Sequence, residues 1–354
     1  MTSQPLSGLK VLDFSTLLPG PLAGLFLAEA GADVIKIEKP GGEDMRFYPP
    51  LHNGRSIAYE LLNRGKTIQE IDLKTDEGRT AALTLVREAD ILVEQFRPGV
   101  MKRLGLDYDS LKAINPRLIY CSITGFGQNG PRRDEAGHDL TYLARTGLLA
   151  LARGNSDSPI VPPALVADIA GGSLPAFSNI LLALLQRART GEGTYLDIAL
   201  AEGCFTFQVF AQAIVAATGA APENAEWLLT GGSPRYQIYP TSDGGLIAVG
   251  ALEEKFWTRF CDIIGLGTDL RSDGADAQLV KQTIREIIGS QTTAYWTECL
   301  NEVDCCAVPV TPLHAAMEDD HFRQRGLFEH SLTLPDGQVI PALSVQIDPA
   351  FRRR

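Results

Sequence analysis

A histidine and three carboxylates stand out in this chain as groups able to move protons near neutral pH. His138 lies in EAGHDLTYLARTGLLAL and is followed directly by Asp139. An imidazole titrates in the physiological range and can serve as acid or base, although a lone histidine is more often a satisfied structural side chain. Asp139 either orients that imidazole or caps the helix predicted to follow. Asp168 comes later, between the apolar run IVPPALVA and a long helical pattern, which is the place of a helix N-cap. Free N–H groups at a helix N-terminus stabilise negative charge on a ligand oxygen, so a carboxylate there can transfer protons beside an oxyanion site. Glu253 opens another predicted helix in VGALEEKFW, where an acid is commonplace and uninformative by itself.

Cations at strand ends suggest an anionic ligand. Lys39 and Arg97 each follow a predicted strand and precede a proline. Ligands of open α/β sheets gather at the carboxyl ends of strands, so both are suited to phosphate. Lys66 and Lys74 are further candidates, whose ordinary alternative is a solvated surface. Gly125, Gly127 and Gly130 form one GxGxxG after a strand, but the segment then meets Asn129, Pro131, two arginines and Asp134. That is loop chemistry and not a helix start, so the dinucleotide fingerprint is incomplete. Gly125 and Gly127 are better read as letting the backbone pass close to a ligand or a neighbouring chain. The six cysteines show no metal-ligand spacing, and several sit in apolar runs as buried thiols. Neither a metal nor a disulfide framework is expected.

The elements that must position these groups alternate along the chain. LKVLDFS, ADVIKIEKP, TIQEIDLK, DILVEQF and RLIYCSITGF read as strands, with PGPLAGLFLAEAGA and DEGRTAALTLVREA as helices among them. A long helix from 168 and a strand in TYLDIALAEG follow. The pattern implies a largely parallel, doubly wound α/β sheet. Residues 217–235, rich in Ala, Gly and Pro, read as a linker. Beyond them RYQIYPTSDGGLIAVGAL is a hairpin around Asp-Gly-Gly, leading into helices of a smaller α/β unit. The expected division is a large Rossmann-like domain at 1–216, completed by about 328–354, and a small domain at 236–327.

Bulk properties narrow the partners. A chain of 354 residues can bury two cores. Its net charge of −11 argues against nucleic acid or an anionic membrane as partner. The N-terminus has no apolar signal core, FRRR is not a peroxisomal address, and no apolar run reads as long enough to span a bilayer. A cytoplasmic location is expected.

Taken together, LSGLKVLDFSTLLPGPLAG, GADVIKIEKPGG, NRGKTIQEIDLK, EQFRPGVMKRLGLDY, NPRLIYCSITGFGQNGP, GHDLTYLARTG, DIAGGS and YPTSDGGLIAVGALEEKFW resemble the family III CoA-transferase (CaiB/BaiF-like) and acyl-CoA racemase superfamily over nearly the whole chain. The resemblance implies a Rossmann-like large domain, a small domain, and two chains interlocked as a homodimer. GHDLTYLA is the racemase-like form. On that resemblance His138 and Asp168 fall on the racemases' two catalytic positions, with Glu253 a third acid. One base removes the α-proton of a CoA thioester and the other group returns a proton to the opposite face. Lys39 and Arg97 match positions that contact CoA phosphates, and racemases usually carry arginine where this chain has Lys39. Racemases line the acyl path with methionines, whereas this chain has only four, and Leu17-Leu18 replace a smaller pair. No cofactor is implied beyond the coenzyme A carried by the substrate.

Two other readings compete. In a CoA transferase Asp168 would be the nucleophile, forming an acyl anhydride and then an enzyme-bound thioester. Asp168 fits both, so the choice of racemase rests on His138. A non-catalytic CoA- or nucleotide-binding module would leave the acid/base groups without a role.

Overall fold

The computed structural model describes residues 4–155 and 157–352. Its main sheet has six strands: β1 (Lys10–Asp13), β2 (Asp33–Glu38), β3 (Thr67–Glu70), β4 (Ile91–Glu94), β5 (Ile119–Thr124) and β6 (Thr194–Ala199). All pairs are parallel, in the order β6-β5-β4-β1-β2-β3. Strand β5 is buried at every residue, as a parallel sheet covered on both faces requires. Strand order reverses between β1 and β4. The carboxyl ends around that switch point form the crevice where such sheets bind ligands.

Helix α1 (Pro19–Glu29) follows β1 with proline in its first turn and stays buried from Pro19 through Ala28, so it is apolar all round. Helix α2 (Asp76–Val86) follows β3, with the Thr75 hydroxyl accepting the Gly78 N–H and two acids in the first turn. Leu12, Phe14, Ile37, Leu92 and Tyr120 of the sheet region cluster with Ala82 and Val86 of α2. A second cluster joins Leu22, Leu25 and Phe26 of α1 to Leu62 and to Val345 near the C-terminus.

The chain divides into two compact units whose boundaries differ from those expected. The first comprises the residues up to Thr146, Pro162–Phe207, and those from Gln324 onward; the second comprises Gly147–Val161 and Gln208–Arg323. The segment 147–161 therefore leaves the large unit, and 217–235 is not a free linker. Hydrogen bonding explains both differences. Arg153 N–H donates to Asn224 Oδ1 at 2.8 Å, Asn224 Nδ2 to the Gly154 carbonyl at 2.9 Å, and Ala225 N–H to the Leu151 carbonyl at 3.0 Å.

In the second unit, strands Tyr236–Pro240 and Leu246–Gly250 pair as the expected hairpin, and Ala307–Pro309, which no pattern announced, adds a third antiparallel strand. Trp257, Phe260, Ile284 and Ile288 of the following helices pack on Tyr239 and Ile247.

One further expectation is corrected. Two helical stretches, Val166–Thr190 and Leu200–Thr218, are long and apolar enough by length and composition to cross a membrane, each with mean hydropathy 1.4.

Candidate active site

His138 is the N-cap of α3 (Asp139–Arg145), with extended backbone at φ −131°. The Thr141 hydroxyl accepts the His138 N–H at 2.9 Å and donates to the His138 carbonyl at 2.8 Å. Capping is thus done by Thr141, and the imidazole is exposed. Asp139 behind it is 5% exposed, and its Oδ1 accepts the Asp168 N–H at 3.0 Å. The carboxylate next to the histidine therefore anchors the segment that carries Asp168.

Asp168 is not the helix N-cap expected from the sequence. It lies in the first turn of a π-helical segment, Val166–Ser173, that begins after Leu165 and runs straight into α4 (Leu174–Thr190). The local sequence accounts for the wide turn. Pro175 has no N–H to return to Gly171, and its ring needs room against the preceding turn. Gly171 in turn lies against α5 (Leu200–Cys204): a Cβ there would stand 2.5 Å from the Leu200 carbonyl oxygen, and one on Gly203 would stand 2.3 Å from the Gly171 Cα. Such π segments recur at functional sites. Two N–H groups expected to be open to an oxyanion are engaged, Asp168 with Asp139 and Ile169 with the Leu165 carbonyl at 3.0 Å.

Electrostatics make this carboxyl unusual. Burial, and then the neighbouring charge of Asp139, push Asp168 up to about 6, while His138 pulls the other way. The structure thus brings His138, Asp139 and Asp168 into one cluster. Tyr142, four residues after His138, belongs to it as well. Its hydroxyl donates to the Gly137 carbonyl at 2.9 Å, and burial with the Asp168 charge raises it to about 12, against the pull of Arg97. The i, i+4 spacing within GHDLTYLA was the signal that could have found it.

Glu253 belongs to the second unit. It is exposed and caps helix Glu254–Ile264 through its backbone carbonyl, which accepts the Phe256 and Trp257 N–H groups at 3.0 Å each. Its side chain makes no capping bond.

Lys39 and Lys74 are both exposed and line one cavity of about 410 Å³ at the carboxyl ends of β1 and β2. Phe14, Ile37, Ile71, Phe96 and Leu104 give it an apolar interior. Leu17 on its rim has φ +63°, a rare conformation for a leucine, and its N–H donates to Glu43 Oε2 at 2.8 Å. Arg97 is exposed at the turn after β4 and lines a neighbouring cavity of about 410 Å³.

Lys66 is a correction. It is neither a ligand cation nor a surface lysine: its side chain is fully buried, with Nζ 2.9 Å from Asp13 Oδ2, 2.8 Å from the Pro21 carbonyl and 3.0 Å from Asn63 Oδ1. Burial alone would raise the Asp13 carboxyl, but Lys66 and Lys36 outweigh it and hold it at about 2. Lys66 balances that charge and has no donor direction left for phosphate. The glycines also have internal reasons. A Cβ on Gly125 would stand 2.5 Å from the Tyr142 hydroxyl, and Gly127 has φ +83° beside Asp197. Among the described residues, no group of three or more His, Cys, Asp or Glu side chains is arranged to hold a metal.

The chain matches the CoA-transferase family III model over residues 6–350. It is 32% identical to the α-methylacyl-CoA racemase of Homo sapiens, covering 98% of this chain and 89% of that protein. It is 36% identical to the succinate–glutarate CoA-transferase of Agrobacterium fabrum, covering 97% of this chain and 89% of that one. Among solved structures, a CaiB/BaiF family protein from Brucella suis superposes with a TM-score of 0.82 at 30% identity, over 98% of this chain and 93% of that one.

Proposed function

Because the chain belongs to CoA-transferase family III, we propose that it interconverts the (R) and (S) forms of a 2-methylacyl-CoA thioester by two-base proton transfer through an enolate. The observation that carries this reading is the cluster of His138 with an Asp168 carboxyl raised to about 6. Two proton-transfer groups, one for each face, are what a reaction on both faces of one carbon requires. In this scheme the thioester acidifies the α-carbon, His138 serves one enantiomer and Asp168 the other. Lys39 and Lys74 would meet phosphates of the CoA moiety while the apolar interior between them takes its flat base, with Arg97 a further phosphate contact. The α-methylacyl-CoA racemase relative supports the same substrate class. We further propose a homodimer.

The test is incubation of a 2-methylacyl-CoA in D2O with no acceptor acid. Deuterium is expected to enter the α-position with loss of optical purity. Transferase relatives, at 36% identity in one case, support a second reading in which Asp168 attacks the thioester. CoA transfer to a free carboxylate without α-exchange, together with inactivation by hydroxylamine in the presence of acyl-CoA, would establish that reading instead.

A further inference from the structure

The turn bearing Arg97 and the loop Gly125–Gln128 are joined through one buried carboxylate that the proton-transfer scheme does not use. Glu94 ends β4 at 3% exposure. It stands opposite Ser122 of β5, which stands opposite Asp197 of β6, so the three side chains form a row on one face of the sheet. Glu94 Oε2 accepts the Phe96 N–H at 2.8 Å, and its carboxyl is also hydrogen-bonded to Ser122. Ser122 Oγ accepts from Gln128 Nε2 at 2.8 Å, and the Gln128 N–H donates to Asp197 Oδ2 at 3.0 Å. At its other end the loop is fixed by Gly125, whose carbonyl accepts the Ala201 N–H at 3.0 Å and which lies against Tyr142 of the acid/base cluster.

We propose that Glu94 is a positioning residue: ionised, it locks the Arg97 turn to the Gly125–Gln128 loop through Ser122, and protonated, it releases that lock and weakens the hold on the anionic CoA moiety. The ligand part rests on the acyl-CoA reading; the coupling of turn to loop does not. A carboxylate accepts from two donors at once, and such charge-assisted bonds are about twice as strong as neutral ones. Burial pushes Glu94 up to about 7, opposed by Ser122 and the Phe96 N–H and assisted by Asp197. The charged and titratable groups around it are Arg97 and Lys102 after its own strand, Asp107, Tyr108 and Asp109 beyond them, Tyr120 and Cys121 on β5, Tyr195 and Asp197 on β6, and Arg133 past the loop. Burial drives Tyr120 and Cys121 upward and Tyr195 to about 12, away from the neutral range.

Hydrogen exchange on the ligand-free full chain decides the coupling. At pH 8, E94Q is expected to raise exchange about tenfold, corrected for intrinsic rates, in peptides covering 95–104 and 126–130; at pH 6 it should match wild type. S122A should loosen 126–130 at both pH values. Wild-type protection of 126–130 in E94Q at pH 8, or no loss of protection in the wild-type chain between pH 8 and 6, overturns the proposal. Calorimetry with CoA itself supplies the ligand arm. Wild-type affinity should weaken about tenfold more than that of E94Q between pH 8 and 6, and equal weakening overturns the ligand role. Failure of wild type to bind CoA at either pH sinks the acyl-CoA reading and this ligand role, while the exchange data still decide the lock.

Discussion

At the scale of single residues, the proposed reaction calls for an aspartate kept protonatable near neutrality. A carboxyl raised from its ordinary 3.8 to about 6 binds more protons folded than unfolded. Its ionisation therefore opposes folding: stability is highest below pH 4 as far as this group is concerned and declines as pH rises through 6. D168N should accordingly abolish racemisation, and α-exchange of the enantiomer that Asp168 deprotonates, yet raise stability at pH 7.5 by about 1–2 kcal/mol, allowing for partial exposure, as read by urea denaturation. In wild type, exchange in the direction that uses Asp168 as base should fall as pH drops below about 6. Lys66 offers the opposite case. K66M strands the buried Asp13 charge and should cost about 3–5 kcal/mol, most at neutral pH and less as the medium approaches the Asp13 value of about 2. His138 and Asp168 were singled out by the resemblance of GHDLTYLA and DIAGGS to the family pattern, since a lone histidine and an aspartate at a helix start are commonplace by themselves. Lys66 was misread because its partner lies far away in sequence, and local composition says nothing of a carboxylate at the end of β1.

At the scale of elements, the alternation of apolar runs with amphipathic segments made all six strands of the main sheet readable. The helix at 166–190 was readable too, but its start was not. Hydrophobic period identifies a helix, whereas the wide π turn follows from Pro175 and from close approach to α5, which is a tertiary fact. That approach gives a prediction. G203A puts a methyl where the Gly171 Cα stands, so the π segment must shift. A destabilisation of about 1–3 kcal/mol is expected. The rate of α-exchange should fall more steeply than KM rises, because Asp168 moves while the phosphate contacts do not. Unchanged kcat in a folded G203A would show that the glycine contact does not set the carboxylate.

At the scale of the whole molecule, apolar side chains remain uncovered on a single copy. Leu182 and Leu185 are each 62% exposed, and Phe207, Val209 and Phe210 are at about half exposure or more. Covering them with a second copy is the economical reading, since patches of this kind mark association surfaces. Sedimentation velocity should therefore give a dimer, with F207E and F210E shifting it toward monomer; a stable, active monomer would count against it. The return of the C-terminal residues to the first unit was legible, but not the passage of 147–161 to the second, because the bonds of Arg153 and Gly154 to Asn224 join segments far apart in sequence. In fact the first unit returns in three separate pieces, and Val345 packs on Leu22 and Phe26. The packing around α1 is thus finished only once residues beyond Gln324 have been made, however early the six strands emerge. A single cut within Gln208–Arg323 would therefore part the first unit from its own returning segment.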